Sequence, residues 1–306
     1  MGEGKKMTEK AKNQTAKELI AGCVGGIVQV LTGQPFDTVK VRLQTQSDQY
    51  KNMVDCVKKT LSQEGPAGFY KGALTPLIGI GACVSIQFSV LEATKRHFVN
   101  QNASRNQQNP SQLSYTQMFL SGSAGGVANG VLSGPIEHVR SRLQIQARSN
   151  TPGAYTGPID FFKRVYGQYG MAGIYKGQLI TFIREFNGYG IYFLTYEALM
   201  QRQMRIQKTT KRGDVPAWKQ CLFGACSGYT LWMVIYPIDA IKSKIQTDSF
   251  NPADRKYKGI IDCAQKVLAA EGVMGFYRGF VTTMLRAGPV NGFTFMAYEI
   301  AMRVMG

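Results

Sequence analysis

The sequence predicts an all-α membrane protein built from three related repeats, and three observations carry that prediction. A ten-residue charged motif occurs three times, long segments with few charges accompany each copy, and a pair of glycines four residues apart recurs in the same register. A fixed period of this kind indicates one structural unit used repeatedly. The expected divisions are a polar tail over 1–16 and repeats over 17–100, 113–205 and 216–306.

The charged motif starts at Pro35 and returns at Pro135 and Pro237. Each copy has an acid two residues after the proline, a base three residues later and a glutamine four residues beyond the base. The acids are Asp37, Glu137 and Asp239, the bases are Lys40, Arg140 and Lys242, and the glutamines are Gln44, Gln144 and Gln246. Acid and base share a helix face at this spacing, and proline bends a helix.

Three bent helices are therefore expected to bring their ends together, so that each acid meets a neighbour's base and the glutamines hydrogen-bond to the pairs. Solvated charges at helix ends are the alternative, which three copies in register disfavour.

Each motif closes a segment without charged residues, over 19–36, 118–136 and 221–238. About 18 residues lie near the lower limit for crossing a bilayer. The glycine pairs are Gly22/Gly26, Gly122/Gly126 and Gly224/Gly228, a spacing that favours close helix packing. A second set of apolar segments covers 73–91, 178–196 and 280–298, which predicts two membrane helices in each repeat.

Between its two membrane helices each repeat carries a polar stretch with a short amphipathic helix and an aromatic-base-glycine turn. The turns end at Gly72, Gly177 and Gly279. A soluble helical-repeat protein would also have amphipathic helices, but it would not usually keep charge-free spans with an internal proline and glycine pair. The even number of membrane helices puts both termini on one side.

Charged residues inside the second apolar segments are candidates for contact with a solute. Seven residues after the turn glycine, the three repeats carry Gly79, Arg184 and Arg286, and Glu185 follows Arg184. A charge within a membrane costs about 3 kcal/mol on insertion scales, so it needs a partner. Arginine suits a carboxylate and Glu185 suits an ammonium group; mutual neutralisation of Arg184 and Glu185 is the alternative.

A further set of charges lies at the far ends of the second helices. Glu92 and Lys95 end the first, whereas Glu197 and Glu299 have methionines, Met200 and Met302, at the base position. A closing ring at this end is therefore expected to be weaker than the ring at the proline end.

Composition leaves one competing class open. The net charge is +17, from 36 Lys and Arg against 19 Asp and Glu, which suits nucleic acid, an anionic membrane surface or anionic solutes. A basic nucleic-acid-binding scaffold would be soluble without detergent. The six cysteines form no CxxC pair and there are two histidines, so we expect neither a metal site nor a cofactor. No nucleophile–base set indicates an enzyme.

Over residues 17–305 these motifs resemble the mitochondrial carrier family. The resemblance implies six helices in a threefold pseudosymmetric barrel, transport by alternating access, a monomer in the mitochondrial inner membrane with both termini on the intermembrane-space side, and no nucleic-acid partner. It makes the proline motifs a matrix gate with pairs Asp37–Arg140, Glu137–Lys242 and Asp239–Lys40, and the far-end charges a cytoplasmic gate. It also implies cardiolipin at Gly72, Gly177 and Gly279, although Asn52 replaces one expected glycine.

The run from Arg184 to Gly190 is similar to the fungal Ymc-type amino acid carriers and the related carnitine/acylcarnitine carriers. The implied cargo is an amino acid or similar zwitterion, with glutamate favoured because two bases and one acid leave the site one positive charge. Acylcarnitine ranks second, with Phe182, Phe186, Tyr189 and Tyr192 as candidates for an aromatic cage, and basic amino acids third. Strict exchange and net uniport both remain open.

Overall fold

The computed structural model describes residues 2–105, 113–146, 154–209 and 212–304, and within these ranges the chain is helical without any strand. The long helices are α1 (Gly2–Thr45), α3 (Leu74–Ser104), α4 (Tyr115–Ile145), α6 (Gln178–Ile206), α7 (Ala217–Thr247) and α9 (Phe280–Val304). The short helices are α2 (Met53–Glu64), α5 (Pro158–Ile174) and α8 (Ile260–Glu271). The expected tail over 1–16 is mostly part of α1.

The long helices surround a central space. Helix α3 packs on α4, α4 on α6, α6 on α7, and α9 on α1. The three helices that contain the motif prolines, α1, α4 and α7, also contact one another in pairs. Each runs without interruption through its proline. The arrangement is the all-α, threefold pseudosymmetric barrel that the sequence predicts.

Each short helix is attached to the proline helix of its own repeat by a small hydrophobic cluster. Leu43 packs with the buried Cys56 in repeat 1, and Leu143 packs with the buried Phe161 in repeat 2. Ile241 and Val267 do the same in repeat 3. The spacing of apolar residues on these helices thus serves to fix them beside the ends of α1, α4 and α7.

Glycines in left-handed backbone conformation connect each short helix to the next long one. Gly65, Gly170 and Gly272 have φ of 71°, 61° and 65°, and Gly72, Gly177 and Gly279 have φ of 78°, 77° and 81°. Only glycine adopts this region without steric cost. The repeated glycines of the sequence therefore mark where the chain must turn twice to begin α3, α6 and α9.

Helix length and hydropathy alone single out few membrane spans among the described residues. Ala217–Thr247 qualifies by itself, with a mean hydropathy of 1.4 over its most apolar window, and the segments Pro66–Gly79 and Gly81–Ser104 qualify together across a 50° bend. The other long helices carry glycine, serine, threonine or charged residues within their apolar segments. Such helices suit a barrel whose interior is polar.

The glycine pairs behave differently in the three repeats. A Cβ atom on Gly122 would approach the carbonyl oxygen of Tyr189 to 2.5 Å, so α4 and α6 touch backbone to backbone here. A Cβ atom on Gly22, Gly26 or Gly228 would meet nothing within 4 Å. Gly224 meets only the Tyr192 hydroxyl of α6, at 3.7 Å, so backbone-to-backbone packing of the expected kind is present at the repeat 2 pair and not at the other two.

We expect Gly126→Val to lower the thermal stability of the purified protein while Gly26→Val leaves it nearly unchanged. A Cβ atom on Gly126 would overlap the backbone of Glu185 and come within 2.9 Å of the Tyr189 ring, whereas Gly26 has open space. Overpacking of this kind costs about 1–3 kcal/mol. Thermal unfolding in detergent measures the effect, and equal shifts in the two variants would contradict the assignment.

Candidate functional site

Three ion pairs join the proline helices at their C-terminal ends, and we call them the proline-side ring. Arg140 of α4 lies 2.8 Å from Asp37 of α1, and Lys40 of α1 lies 2.6 Å from Asp239 of α7. Lys242 of α7 pairs with Glu137 of α4. All three pairs expected from the motifs are present, and each connects two different repeats.

The glutamines of the motif do not all contact the ring. Gln44 donates to the Asp239 carboxylate at 3.4 Å. Gln144 and Gln246 instead lie 3.4 Å from the hydroxyl groups of Thr38 and Thr181. These hydroxyls in turn donate to the backbone carbonyls of Phe69 and Gly177, so two of the three expected contacts are replaced.

A glutamine outside the motif takes part instead. Gln34, directly before Pro35, accepts a hydrogen bond of 2.5 Å from Arg140. Its amide nitrogen donates to the carbonyl of Lys71 at 2.7 Å, which holds the side chain in place. Gly134 and Tyr236 occupy the corresponding positions in the other repeats, so the repeat pattern does not reveal this residue.

The arginines of α6 and α9 both contact acids of the proline-side ring. Arg184 of α6 donates to both carboxylate oxygens of Glu137, at 2.9 and 3.1 Å. Arg286 of α9 lies 3.1 Å from the Asp37 carboxylate. The two arginines therefore share their acids with the bases of the ring. From the sequence, the arginines and the ring were expected to be two separate sets of charges.

Two cavities meet at these arginines. A cavity of about 710 Å³ lies between α6, α7 and α9, and a smaller one of about 200 Å³ lies within the ring. Arg184, Trp232 and Arg286 line both. These three side chains are the floor of the larger cavity and the roof of the ring.

Trp232 is a site residue that was not singled out from the sequence. The ammonium group of Lys40 lies 4.4 Å from the centre of its ring, a cation–π distance. Five residues before the other motif prolines stand Val30 and Gly130. The same comparison of repeats that singles out Arg184 and Arg286 also singles out Trp232.

Glu185 lines the larger cavity beside Arg184. Its side chain is 3% exposed and pairs with Arg184. Its methylene group lies in the contact with α4, 3.4 Å from the position of a Cβ atom on Gly130. The carboxylate pairs with Arg184, as in the alternative of mutual neutralisation, and its contact with the ammonium group of a solute stays a prediction.

Gly79 lies away from the cavity floor. It stands at the bend of the first-repeat span, and a Cβ atom there would collide with the side chain of Ile136 on α4. It lines neither of the two cavities that contain Arg184 and Arg286. Its small size serves packing against the proline helix, and its contact with a solute stays a prediction.

Two of the four candidate cage aromatics face the larger cavity. Tyr189 and Tyr192 line it. Phe186 instead packs edge-on against Phe119 at 5.6 Å, and Phe182 lies against Gly130 of α4. The helical twist of α6 turns the two phenylalanines toward α4, so an aromatic cage of four residues is not assembled.

The charges at the opposite end have partners on their own helices. Glu92 pairs with Lys95 at 2.8 Å, and Glu299 pairs with Arg303 at 2.8 Å. Glu197 accepts a hydrogen bond of 3.0 Å from Gln201 of its own helix. With all three proline-side pairs formed, the structure shows the conformation that is closed at the proline end.

Comparison with known proteins settles the family. The model of the mitochondrial carrier protein family matches residues 11–102, 111–206 and 213–306. The chain belongs to the mitochondrial carrier family. This carrier is a transporter of the mitochondrial inner membrane and not an enzyme, which confirms the class predicted from the repeats.

Several curated relatives cover nearly the whole carrier. The glutamate/glycine mitochondrial carrier ymc1 of Schizosaccharomyces pombe is 48% identical over 95% of each chain. The mitochondrial glycine transporter YMC1 of Saccharomyces cerevisiae is 49% identical over 96% of this chain and 92% of its own. The mitochondrial basic amino acids transporter of Homo sapiens is 38% identical over 94% and 90%.

We expect that Lys40→Asp and Asp239→Lys each reduce transport more than about tenfold, because each places two like charges at a buried contact. The double exchange should recover part of the rate, since it restores the pair but removes the Lys40 contact with Trp232. Uptake into liposomes measures the effect. Charge exchange at the exposed Asp55–Lys59 pair is the control and should change the rate little. No recovery in the double variant would contradict a direct pairing role.

Proposed function

We propose that this carrier transports small amino acids, glutamate and glycine in particular, across the mitochondrial inner membrane, with the proline-side ring as its matrix gate. The observation that carries the proposal is the cavity floor, where Arg184, Arg286 and Trp232 line both the larger cavity and the ring. Two guanidinium groups suit carboxylates, and an indole face suits an ammonium group.

The charges around the two cavities favour a solute with one net negative charge. The ionisable groups at the site comprise five bases and four acids: Lys40, Arg140, Arg184, Lys242 and Arg286 with Asp37, Glu137, Glu185 and Asp239. Bound glutamate neutralises the surplus positive charge, while glycine leaves it unchanged. The names of the two fungal relatives, a glutamate/glycine carrier and a glycine transporter, support the same solutes.

Acylcarnitine is the second candidate and basic amino acids the third. Phe182 and Phe186 pack against α4, so only Tyr189 and Tyr192 of the four candidate cage aromatics face the cavity, and the site offers a quaternary ammonium group no four-residue cage. The human relative is a basic amino acids transporter. A positive side chain would, however, add to the surplus positive charge of this site.

The deciding experiment is uptake into liposomes that contain the purified carrier, with glutamate, glycine, ornithine, arginine and acylcarnitine as solutes. We expect uptake of glutamate and glycine, and a loss of about thirtyfold or more in Arg184→Ala and Arg286→Ala, since each removes a partner from a buried ionic contact. Arg164→Ala, which removes an exposed pair on α5, is the control. Transport of acylcarnitine alone would overturn the proposal.

The role of Trp232 is tested separately. Trp232→Leu should raise the KM for glycine about five- to thirtyfold, the range expected for loss of a desolvated cation–π contact, with a smaller change in the maximal rate. A change in the maximal rate alone would mean that the ring serves only Lys40, and it would remove the indole from solute recognition.

We also propose that lipid phosphate, from cardiolipin, binds where two helix N-termini meet, and that the carrier is a monomer with both termini on the intermembrane-space side. Gly177, Lys258 and Gly259 line a surface cavity of about 1070 Å³. Neither glycine offers a side chain to cap its helix, and such N-termini bind phosphate.

Repeat 1 departs from this pattern because the side chain of Asn52 accepts a hydrogen bond from the backbone of Asp55 and caps α2. Gly259→Asn would place the same cap on α8. We expect this variant to retain less lipid phosphate after purification, and unchanged phosphate per protein would remove that site. Light scattering and protease access at the N-terminus test the monomer and the orientation.

A further inference from the structure

The contact between repeats 2 and 3 beyond the ring differs from the contacts at the other two boundaries. In each repeat, a base of the proline helix and the base of the aromatic-base-glycine turn lie near each other at the boundary with the next repeat. In repeat 1 these are Arg42 and Lys71, and both pair with Glu64 at 2.8 and 2.6 Å. Repeat 3 has the same arrangement.

In repeat 3, Lys244 and Arg278 both pair with Glu271 at 2.9 Å. In repeat 2 the position of the glutamate is taken by Tyr169, whose ring stacks on Phe250 at 4.8 Å. The two bases, Arg142 and Lys176, therefore lack the carboxylate that their counterparts share. They lie over the ring of Phe250 at 4.3 and 5.1 Å instead.

Both bases bind backbone carbonyl groups at the end of α7. Lys176 donates to the carbonyls of Asp248 and Ser249 at 2.5 and 2.6 Å, and Arg142 donates to the carbonyl of Asp248. A neutral amine has two N–H groups, so two carbonyl acceptors satisfy it without any need for a charge. The hydrogen-bond partners of Lys176 are therefore compatible with an uncharged amine.

We propose that Lys176 is a proton-linked tether, which holds repeat 2 to the end of α7 while the proline side is closed and takes up one proton when that side opens. The inference rests on the proposed gate, since the Glu137–Lys242 pair joins the same two repeats. Opening that pair moves α4 and α7 apart, so it also withdraws Lys176 from the carbonyls and exposes it to water.

The charged groups around Lys176 favour its neutral form in the closed state. Burial, together with the positive charge of Arg142 on α4, lowers the pKa of Lys176 from 10.5 to about 7, and Arg255 before α8 acts in the same direction. His138 of α4 also faces this cluster. Asp248 opposes the shift, but its carboxylate accepts hydrogen bonds from the backbone of Ser249, Lys256 and Tyr257.

The sign of the pH effect follows from the two states. In the open state a solvated lysine regains its ordinary pKa, so between pH 7 and 10.5 the open state holds more protons than the closed state. Raising the pH in this window therefore favours the closed state, by up to about tenfold in the opening equilibrium per pH unit. Below pH 7 both states are protonated and the effect disappears.

Two measurements on the full-length carrier test the proposal. Thermal unfolding in detergent should show that the wild type gains stability relative to Lys176→Met as pH rises from about 7 to 9, because the unfolded chain holds the proton that the folded chain releases. Uptake of glycine into liposomes, with equal pH on both sides, should fall with pH in the wild type and stay flat in Lys176→Met. Lys176→Arg, which keeps its charge at every pH, should also be flat.

Lys71→Met is the matched control in repeat 1, where Glu64 is present, and it should keep the pH profile of the wild type because Lys176 is intact. If the difference in stability between the wild type and Lys176→Met does not change with pH, Lys176 does not titrate as proposed. A changing stability difference with identical uptake profiles in wild type and Lys176→Met would overturn the link to opening. Failure of the gate itself appears independently, as absence of recovery in the Lys40–Asp239 charge exchange.

Discussion

Pairing of buried charge is the constraint on which the rest of this carrier depends. Nine ionisable side chains converge where α1, α4 and α7 meet, and a charge removed from water must be matched by a partner. The Glu137 carboxylate serves Lys242 and Arg184 together, and Asp37 serves Arg140 and Arg286. A solute carboxylate that enters the cavity thus meets bases already engaged with the acids that close the proline side.

Ion pairs in this protein fall into two groups that do different work. Arg42 and Glu64 join parts of one repeat and are nearly inaccessible, with exposed fractions of 1% and 9%. The ring pairs join different repeats and differ in their contact with water, since Arg140 is 22% exposed but Asp239 only 8%. Breaking a partly hydrated pair costs less than breaking a dry one. The Asp37–Arg140 contact between repeats is therefore easier to break than the Arg42–Glu64 contact within repeat 1.

The departures from threefold symmetry carry the specific chemistry. Trp232 occurs in repeat 3 only, and Arg184 and Arg286 occupy a position that is glycine in repeat 1. These three side chains form the floor of the cavity. Tyr169 likewise replaces a glutamate, which leaves Arg142 and Lys176 on backbone carbonyls. Residues that occur in all three repeats form the barrel and the proline-side ring, because the three repeats make equivalent contacts there. A single solute of low symmetry needs different side chains from each repeat.

The sequence by itself determined the three repeats and the meeting of each acid with a neighbour's base, because repeated local spacing places each acid and base on a known face of a known helix. The barrel and the specific partners in the proline-side ring were implied by the family resemblance. The tertiary structure alone decided where Glu185, Gly79 and the glutamines point. Their surroundings come from other helices: Glu185 lies against α4, Gly79 meets Ile136, and Gln144 and Gln246 meet threonines. Helical spacing fixes a residue's direction from its own axis, but packing decides which neighbour it meets there.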